Sequence, residues 1–209
     1  MISLIKYVYF PEITSTQKVL LEDLKKNRVE KNICYWSDYQ TDGIGSRNNK
    51  WIGKKGNLFF SFVVDKNEFL DVPIQSFSIY FGWILKKLLN KFGSNVVLKW
   101  PNDIYLLENF PRKIGGIITN IVNENLVTGI GINTKFALND EFGCLDIDIK
   151  NVKILEEFFN EVFEYKNFSK VIKEYKKEFE KTKDIFKIDG NLNYDGALIK
   201  NNKKVYSRR

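Results

Sequence analysis

Apolar residues recur at three-to-four spacing through Phe77, Tyr80, Phe81, Ile84, Leu85, Leu88, Leu89 and Phe92, then stop at Gly93. That period predicts an amphipathic helix closed by glycine. Ile154, Leu155, Phe158, Phe159, Val162 and Phe163 predict a second helix, and Phe168–Thr182 a third. Ser15-Thr16-Gln17 ahead of Val19, Leu20, Leu21 and Leu24 predicts a capped helix ending near Asn27. Apolar or alternating runs bounded by turn residues predict strands at Leu4–Phe10, Ile33–Trp36, Leu58–Val64, Val96–Trp100, Ile104–Leu107, Ile114–Val122 and Leu126–Ile132. Beyond Asp184, Gly190 and Gly196 separate three short strand-like pieces ending at Tyr206. Asp38–Gly56 loses apolar periodicity and reads as a long loop, a kind of segment that tends to carry function. This order predicts an α+β fold, a mixed, largely antiparallel sheet with helices packed on one face. It further predicts a main unit over residues 1–183 and a short β segment over 184–209 that is too small to stand alone.

Composition narrows the chemistry. The 209 residues contain no histidine, which removes histidine-based triads, Cys–His pairs and His-ligated zinc. A catalyst here works with Lys, Arg, Asp, Asn or backbone groups. Cys34 and Cys144 sit beside apolar neighbours and read as small buried hydrophobes, in keeping with a reducing cytoplasm. The amino terminus lacks the pattern of a signal peptide, and no apolar run approaches the ~20 residues of a membrane span. The expectation is a cytoplasmic protein with no membrane partner. Net charge is +7, of which residues 150–209 supply +5, with 15 Lys/Arg against 10 Asp/Glu. There the signs interleave, as on a solvated helix face rather than a nucleic-acid surface.

Four segments carry more glycine and polar residues than packing requires. The loop from Gln40 to Trp51 has Gly43 and Gly45 for close backbone approach, Arg47 and Lys50 to meet an anion, and Trp51 as a flat apolar face. An ordinary connecting loop reads the same way. Lys99-Trp100-Pro101-Asn102-Asp103 turns a strand at a proline and presents an amide beside a carboxylate. Asn102 suits a purine edge, and Asp103 suits a magnesium ion or a proton; an Asx turn is the plain alternative. Arg112-Lys113-Ile114-Gly115-Gly116-Ile117-Ile118 sets a cation at the head of an apolar strand, where a lysine leans over an anion or simply meets solvent. Gly129-Ile130-Gly131-Ile132-Asn133 leaves room on one strand face for a ligand or for a close strand crossing.

In this order the segments resemble biotin protein ligases. That family repeats a Ser-Thr-Asn helix start, a Gly-Arg-Gly-Arg-x-Gly-Arg-x-Trp loop, Lys-Trp-Pro-Asn-Asp, Lys-x-x-Gly-Ile and Gly-x-Gly-Ile-Asn. The matching stretches are Ser15-Thr16-Gln17, Gly43 to Trp51, Lys99 to Asp103, Lys113 to Ile117 and Gly129 to Asn133. The resemblance covers most of residues 10–209, and Lys-Trp-Pro-Asn-Asp with its downstream lysine is the specific part. It implies a fold shared with class II aminoacyl-tRNA synthetases. It also implies a two-step reaction with ATP and biotin as substrates and Mg2+ as metal: biotinyl-5′-adenylate forms, and its acyl group passes to a lysine of a biotin carboxyl carrier domain.

By the same resemblance Lys113, Asp103 and Arg47 are the catalytic candidates, with Lys113 bridging carboxylate and α-phosphate and Asp103 holding magnesium. Ser15, Thr16 and Gln40 would meet the ureido ring, with Gly43, Gly45, Lys113, Gly115, Gly116, Ile118, Gly129 and Gly131 along the biotin channel. Arg47, Lys50, Trp51, Asn102, Asp103, Lys113 and Asn133 would hold ATP or the adenylate. The loop departs from the family, having Ile44, Ser46 and Asn49 where arginines are expected, so charge over the phosphate is thinner. Because the resemblance begins almost at Met1, the expectation is a short form without a DNA-binding region and with no DNA partner; a homodimer remains open. Two other readings are a lipoate or octanoyl ligase or transferase, whose tunnel has no ureido group to satisfy, and a nonenzymatic nucleic-acid-binding protein with a contiguous basic surface.

Overall fold

The chain runs β1 (Lys6–Phe10), α1 (Thr16–Lys25), β2 (Ile33–Ser37), β3 (Gly43–Ile44), β4 (Lys50–Trp51), β5 (Leu58–Asp65), α2 (Phe77–Lys91), β6 (Val96–Lys99), β7 (Asp103–Leu106), β8 (Arg112–Val122), β9 (Asn125–Ile132), α3 (Asn151–Glu164), α4 (Phe168–Thr182), β10 (Asn191–Leu192), β11 (Leu198–Lys200) and β12 (Lys203–Val205). This is a computed structural model, and it describes residues 5–164 and 167–206. Leu4, the predicted start of the first strand, lies outside them. Seven strands form one sheet in the order β1-β2-β5-β9-β8-β7-β6. Only β1 and β2 run parallel; the other neighbours are antiparallel.

The helices do not all share one face of that sheet, as the sequence pattern led us to expect. On one side Leu58, Phe60, Phe62 and Val64 of β5 meet α2 and α3, with Phe62–Phe81 and Phe62–Phe159 ring centroids 5.1 and 5.0 Å apart. On the other, Leu20 and Leu24 of α1 pack with Ile33, Tyr35, Val63 and Val127. Both faces of β5 are therefore covered, which is why its sequence reads as a continuous apolar run instead of an alternation. The single interruption, Ser61, is fully buried. Each large apolar side chain buried this way contributes roughly 1.5–3 kcal/mol.

The remaining chain folds as β10-β11-β12, a small antiparallel sheet. Phe186, Ile188, Leu192 and Leu198 join the same hydrophobic cluster as α2–α4. Trp100 Nε1 donates to Gly196 O at 3.0 Å, and Ser76 Oγ to Asp195 O at 2.5 Å. Gly196 has φ +83°, and a Cβ there would stand 2.3 Å from Ser76 Oγ, so the contact requires glycine. Burial alone would raise the Asp195 carboxyl. Hydrogen bonds from Lys204, the Ala197 N–H, Tyr206 and Asn193 outweigh it and hold the pKa at about 2.

The loop expected over Asp38–Gly56 is partly ordered: β3 and β4 pair as a hairpin around a 3-10 turn at Ser46–Asn48. Its strands are two residues long, too short to leave a periodic signal. Cys34 is buried in the core as expected, whereas Cys144 is only half-buried. No helix among the described residues is long and apolar enough to cross a membrane.

Candidate active site

The first turn of α1 lies against the open face of β5 and β9. Ser15, extended at φ −161°, caps the helix by accepting from Lys18 N. The chain before it bonds to the loop after β2, Thr41 N to Ile13 O at 3.0 Å and Asp42 N to Thr14 O at 2.8 Å, and Lys18 Nζ pairs with Asp42 at 2.6 Å. These ties carry the buried Gln40 to the helix start, where its Oε1 accepts from Thr16 N at 2.7 Å and Thr16 Oγ1 at 3.1 Å. Thr16 Oγ1 in turn meets Ser61 Oγ at 2.8 Å. A polar knot therefore closes one end of a cleft that is otherwise floored by Gly116, Gly129 and Gly131.

At the other end Lys113 Nζ lies 2.6 Å from Asp103 Oδ1, both side chains about three-quarters buried. A bulge makes this meeting possible. Asp103 pairs with Gly116 and Ile104 with Gly115, but Tyr105 pairs with Lys113, leaving Ile114 as an extra residue on β8. Strict alternation would have put Ile114 on the cleft face and Lys113 in the core. The extra residue re-aims both: Ile114 is fully buried in the core and Lys113 lines the cleft. Asn102 holds the corner before Asp103, its Nδ2 donating to Ile117 O and its carbonyl accepting from Ile117 N, both at 2.9 Å, after the cis Trp100–Pro101 bond.

Trp51 roofs this end. Its indole lies over Gly116 and Gly131, 5.5 Å from Lys113 Nζ to the ring centroid. A Cβ on Gly131 would stand 2.7 Å from Trp51 Nε1 and one on Gly116 3.4 Å from Cζ3, so the small residues of β8 and β9 make room for the ring. One cleft thus joins a hydrogen-bonding end to a cation–carboxylate pair under an aromatic roof, with apolar walls between them.

The family model described as biotin/lipoate A/B protein ligase matches residues 9–136. The chain belongs to that family. Among solved structures it is similar to a biotin acetyl coenzyme A carboxylase synthetase from Helicobacter pylori with bound biotinylated ATP. The two are 32% identical with TM-score 0.86, over 96% of this chain and 98% of that one. Biotin protein ligase from Aquifex aeolicus, 23% identical with TM-score 0.67 over 97% and 96% of the two chains, shares the fold. Curated relatives include the bifunctional ligase/repressor BirA of Salmonella typhimurium, 33% identical over 130 residues, and biotin–protein ligase 2 of Arabidopsis thaliana, 28% identical over 152. The matches cover 59% and 69% of this chain but only 39% and 45% of those proteins, so the chain spans under half the length of either.

In this member of the biotin/lipoate ligase family the cleft gathers Ser15, Thr16, Gln40, Gly45, Trp51, Asn102, Asp103, Lys113, Gly116, Ile118, Gly129 and Gly131. Five candidates stand elsewhere. Gly43 is paired with Trp51, and its missing Cβ would lie 2.5 Å from Trp51 O, so it serves the hairpin. Lys50 precedes Trp51 on β4 and alternation turns it to the exposed side. Gly115 faces Ile104 and Ile132 in the core, on the far side of the sheet from Gly116. Asn133 is buried, with Nδ2 donating to Gly143 O at 3.0 Å and Oδ1 accepting from Asn57 at 3.2 Å, so its amide ties the loop beyond β9 to the residue ahead of β5. Arg47, left-handed at φ 58°, lines an adjoining chamber with Gln75, Ser78, Thr119, Asn120 and Tyr206; the chamber opens onto the main cleft across Ser46, Asn102 and Ile118.

Gln17 and Ser61 line the cleft without having been candidates. Ser61 had a signal, a lone hydroxyl in Leu58-Phe59-Phe60-Ser61-Phe62-Val63-Val64. Gln17 stood in plain view as the last residue of the Ser15-Thr16-Gln17 helix start, where the family has asparagine, but a polar residue in the first turn of a helix is ordinary and did not single it out. Asp103 is the one carboxylate among the cleft's lining residues, and no cluster of three or more His, Cys, Asp or Glu occurs among the described residues. That donor set does not build a protein-only cage, but it suits a magnesium ion that arrives on phosphates and needs one carboxylate.

Proposed function

We propose that this chain activates biotin with ATP and transfers it to a lysine of a biotin carboxyl carrier domain. The observation that carries the reading is the placing of the Lys113–Asp103 pair and the Ser15-Thr16-Gln40 knot at opposite ends of one cleft. A biotin molecule has its ureido ring at one end and its carboxylate at the other, which fits that layout. The carboxylate oxygen attacks the α-phosphorus, the O–P bond forms, the bond to the β-phosphate oxygen breaks, and pyrophosphate leaves. Two anions must touch for this to happen. Lys113 offsets their repulsion as a compact charge, without the fixed fork of a guanidinium. Asp103 would hold magnesium, which spreads the polyphosphate charge. Asp103 would then orient the incoming lysine amine or take its proton as the amine attacks the acyl carbon and AMP leaves. Asn102 and Trp51 would receive the adenine, and the β3–β4 hairpin would keep water from the mixed anhydride. Residues 1–183 would carry the chemistry and 184–209 would buttress it through Trp100.

The reading is tested by ATP–pyrophosphate exchange with biotin and lipoate in parallel. Exchange that depends on biotin supports it; exchange that depends on lipoate alone overturns it in favour of the other branch of the family. A further expectation follows from Ile44, Ser46 and Asn49 in place of loop arginines. The adenylate should escape faster than from a ligase carrying the full set, as measured by trapping of released biotinyl-adenylate without acceptor. Tight retention contradicts this.

A further inference from the structure

The cleft face of the sheet carries a second lysine beyond Asp103. Gly131 on β9 pairs with Gly116 on β8, Gly116 with Asp103 on β7, and Asp103 with Lys99 on β6. Directly opposed residues share a face, so these four form one row on the side that bears the cleft. The row leads away from the closed end. Ser61 stands on β5, the glycine floor on β9 and β8, Asp103 on β7, and Lys99 one strand further, a step of ~4.8 Å between strands. Its place is fixed from two sides. β6 is an edge strand, and Glu178 of α4, ion-paired with Lys86, accepts from Leu98 N at 3.0 Å. The Lys99 ammonium donates to Tyr105 OH at 2.9 Å and lies 4.3 and 5.1 Å from the ring centroids of Tyr105 and Phe186. Ring faces attract a cation without neutralising it. Tyr105 is also the cross-strand partner of Lys113, so one tyrosine links the two lysines on either side of Asp103.

We propose that Lys99 receives the pyrophosphate that leaves when the adenylate forms. The inference rests on the biotin reading above and adds a residue to its first step. The carboxylate oxygen arrives from the closed end and bonds to the α-phosphorus. The opposite bond breaks, and its electron pair departs with the β-phosphate oxygen. An in-line displacement sends that oxygen away from the closed end, past Asp103 and toward β6. Lys113 is then engaged between carboxylate and α-phosphate, and the β3–β4 hairpin has Ile44, Ser46 and Asn49 where the family has arginines. Lys99 stands on the side where the departing negative charge collects. Its ammonium is a compact charge on a flexible stem, free to swing from a tyrosine hydroxyl to a phosphate oxygen and back once pyrophosphate has gone.

The test is ATP–pyrophosphate exchange by the wild type, Lys99→Met and Lys99→Arg, with KM measured for pyrophosphate and for biotin at several salt concentrations. Lys99→Met keeps a stem to pack against Tyr105 and Phe186 but carries no charge. It should raise KM for pyrophosphate by about tenfold or more, the loss of one charged hydrogen bond, and leave KM for biotin within about twofold. It should also flatten the rise of KM for pyrophosphate with ionic strength that the wild type shows, which a purely structural role would not do. Lys99→Arg, which restores the charge, should stay close to the wild type. Thermal melting accompanies each variant, and Lys99→Gln, with the same expectations, stands in for a Lys99→Met that does not fold. An unchanged KM for pyrophosphate, an equal loss for biotin and pyrophosphate, or the same loss in Lys99→Arg overturns the role given to Lys99 and leaves biotin activation intact. Exchange that runs on lipoate alone, with the pyrophosphate effect of Lys99→Met preserved, overturns the biotin reading and supports the place given to Lys99.

Discussion

Lys113→Ala is expected to reduce biotin-dependent pyrophosphate exchange by about 10²–10³-fold, with the loss in kcat larger than any change in KM for ATP. The size follows from the job given to the ammonium group. Without it a carboxylate and a triphosphate approach each other in a site walled by Trp51, Ile117 and Ile130, where the apolar lining weakens screening by water. The substitution also leaves Asp103 without its 2.6 Å partner, adding a negative charge where one is least tolerated. Stability should hardly move, because both side chains remain about a quarter exposed and such pairs contribute about 1 kcal/mol or less. Exchange kinetics beside thermal melting check both halves. A variant that melts normally yet keeps more than a tenth of its exchange rate contradicts the role of Lys113.

Gly131→Ala should be nearly as damaging by a different route. The new methyl carbon would lie 2.7 Å from Trp51 Nε1 and 2.8 Å from Cε2, distances that packed atoms do not tolerate, so the indole has to leave the sheet. The β3–β4 hairpin that carries Trp51 is two residues on each side and can shift more easily than the seven-stranded sheet. The expected result is a rise in KM for ATP of about tenfold or more, with the melting temperature little changed. Gly116→Ala is the control for the ring: there the nearest approach is 3.4 Å, an ordinary contact, and Trp51 should stay in place. Crystal structures of the two variants would show whether the indole moves in the first and not in the second. An unmoved Trp51 in Gly131→Ala contradicts the prediction.

The long elements were legible because their signals are long. The 3.6-residue period over Phe77–Lys91 spans four turns, and Leu58–Asp65 is apolar enough to be read as a buried strand. The face chosen by α1 was not legible, since a ten-residue helix packs equally well on either side until the sheet's own residues are ordered in space. Within the site, motif spacing located Lys113 and Asp103 but gave no reason for them to meet; the reason is the extra residue at Ile114, and a bulge leaves no trace in hydrophobic alternation. Asn133 and Gly115 belong to motifs that do line the cleft, and each is turned away by strand alternation or by a loop that needs its amide. Ser61 shows the opposite failing. Its hydroxyl interrupts an apolar strand in plain view, but its value depends on Thr16 and Gln40, which arrive from 45 and 21 positions away in the sequence.

The most direct test of the account is a crystal structure with biotin and a nonhydrolysable ATP analogue. The prediction is that Lys113 Nζ has moved off Asp103 to lie within hydrogen-bond distance of both the biotin carboxylate and the α-phosphate, with the ureido ring against Ser61 and Thr16. An ammonium still paired with Asp103, with both ligands bound elsewhere, would contradict it.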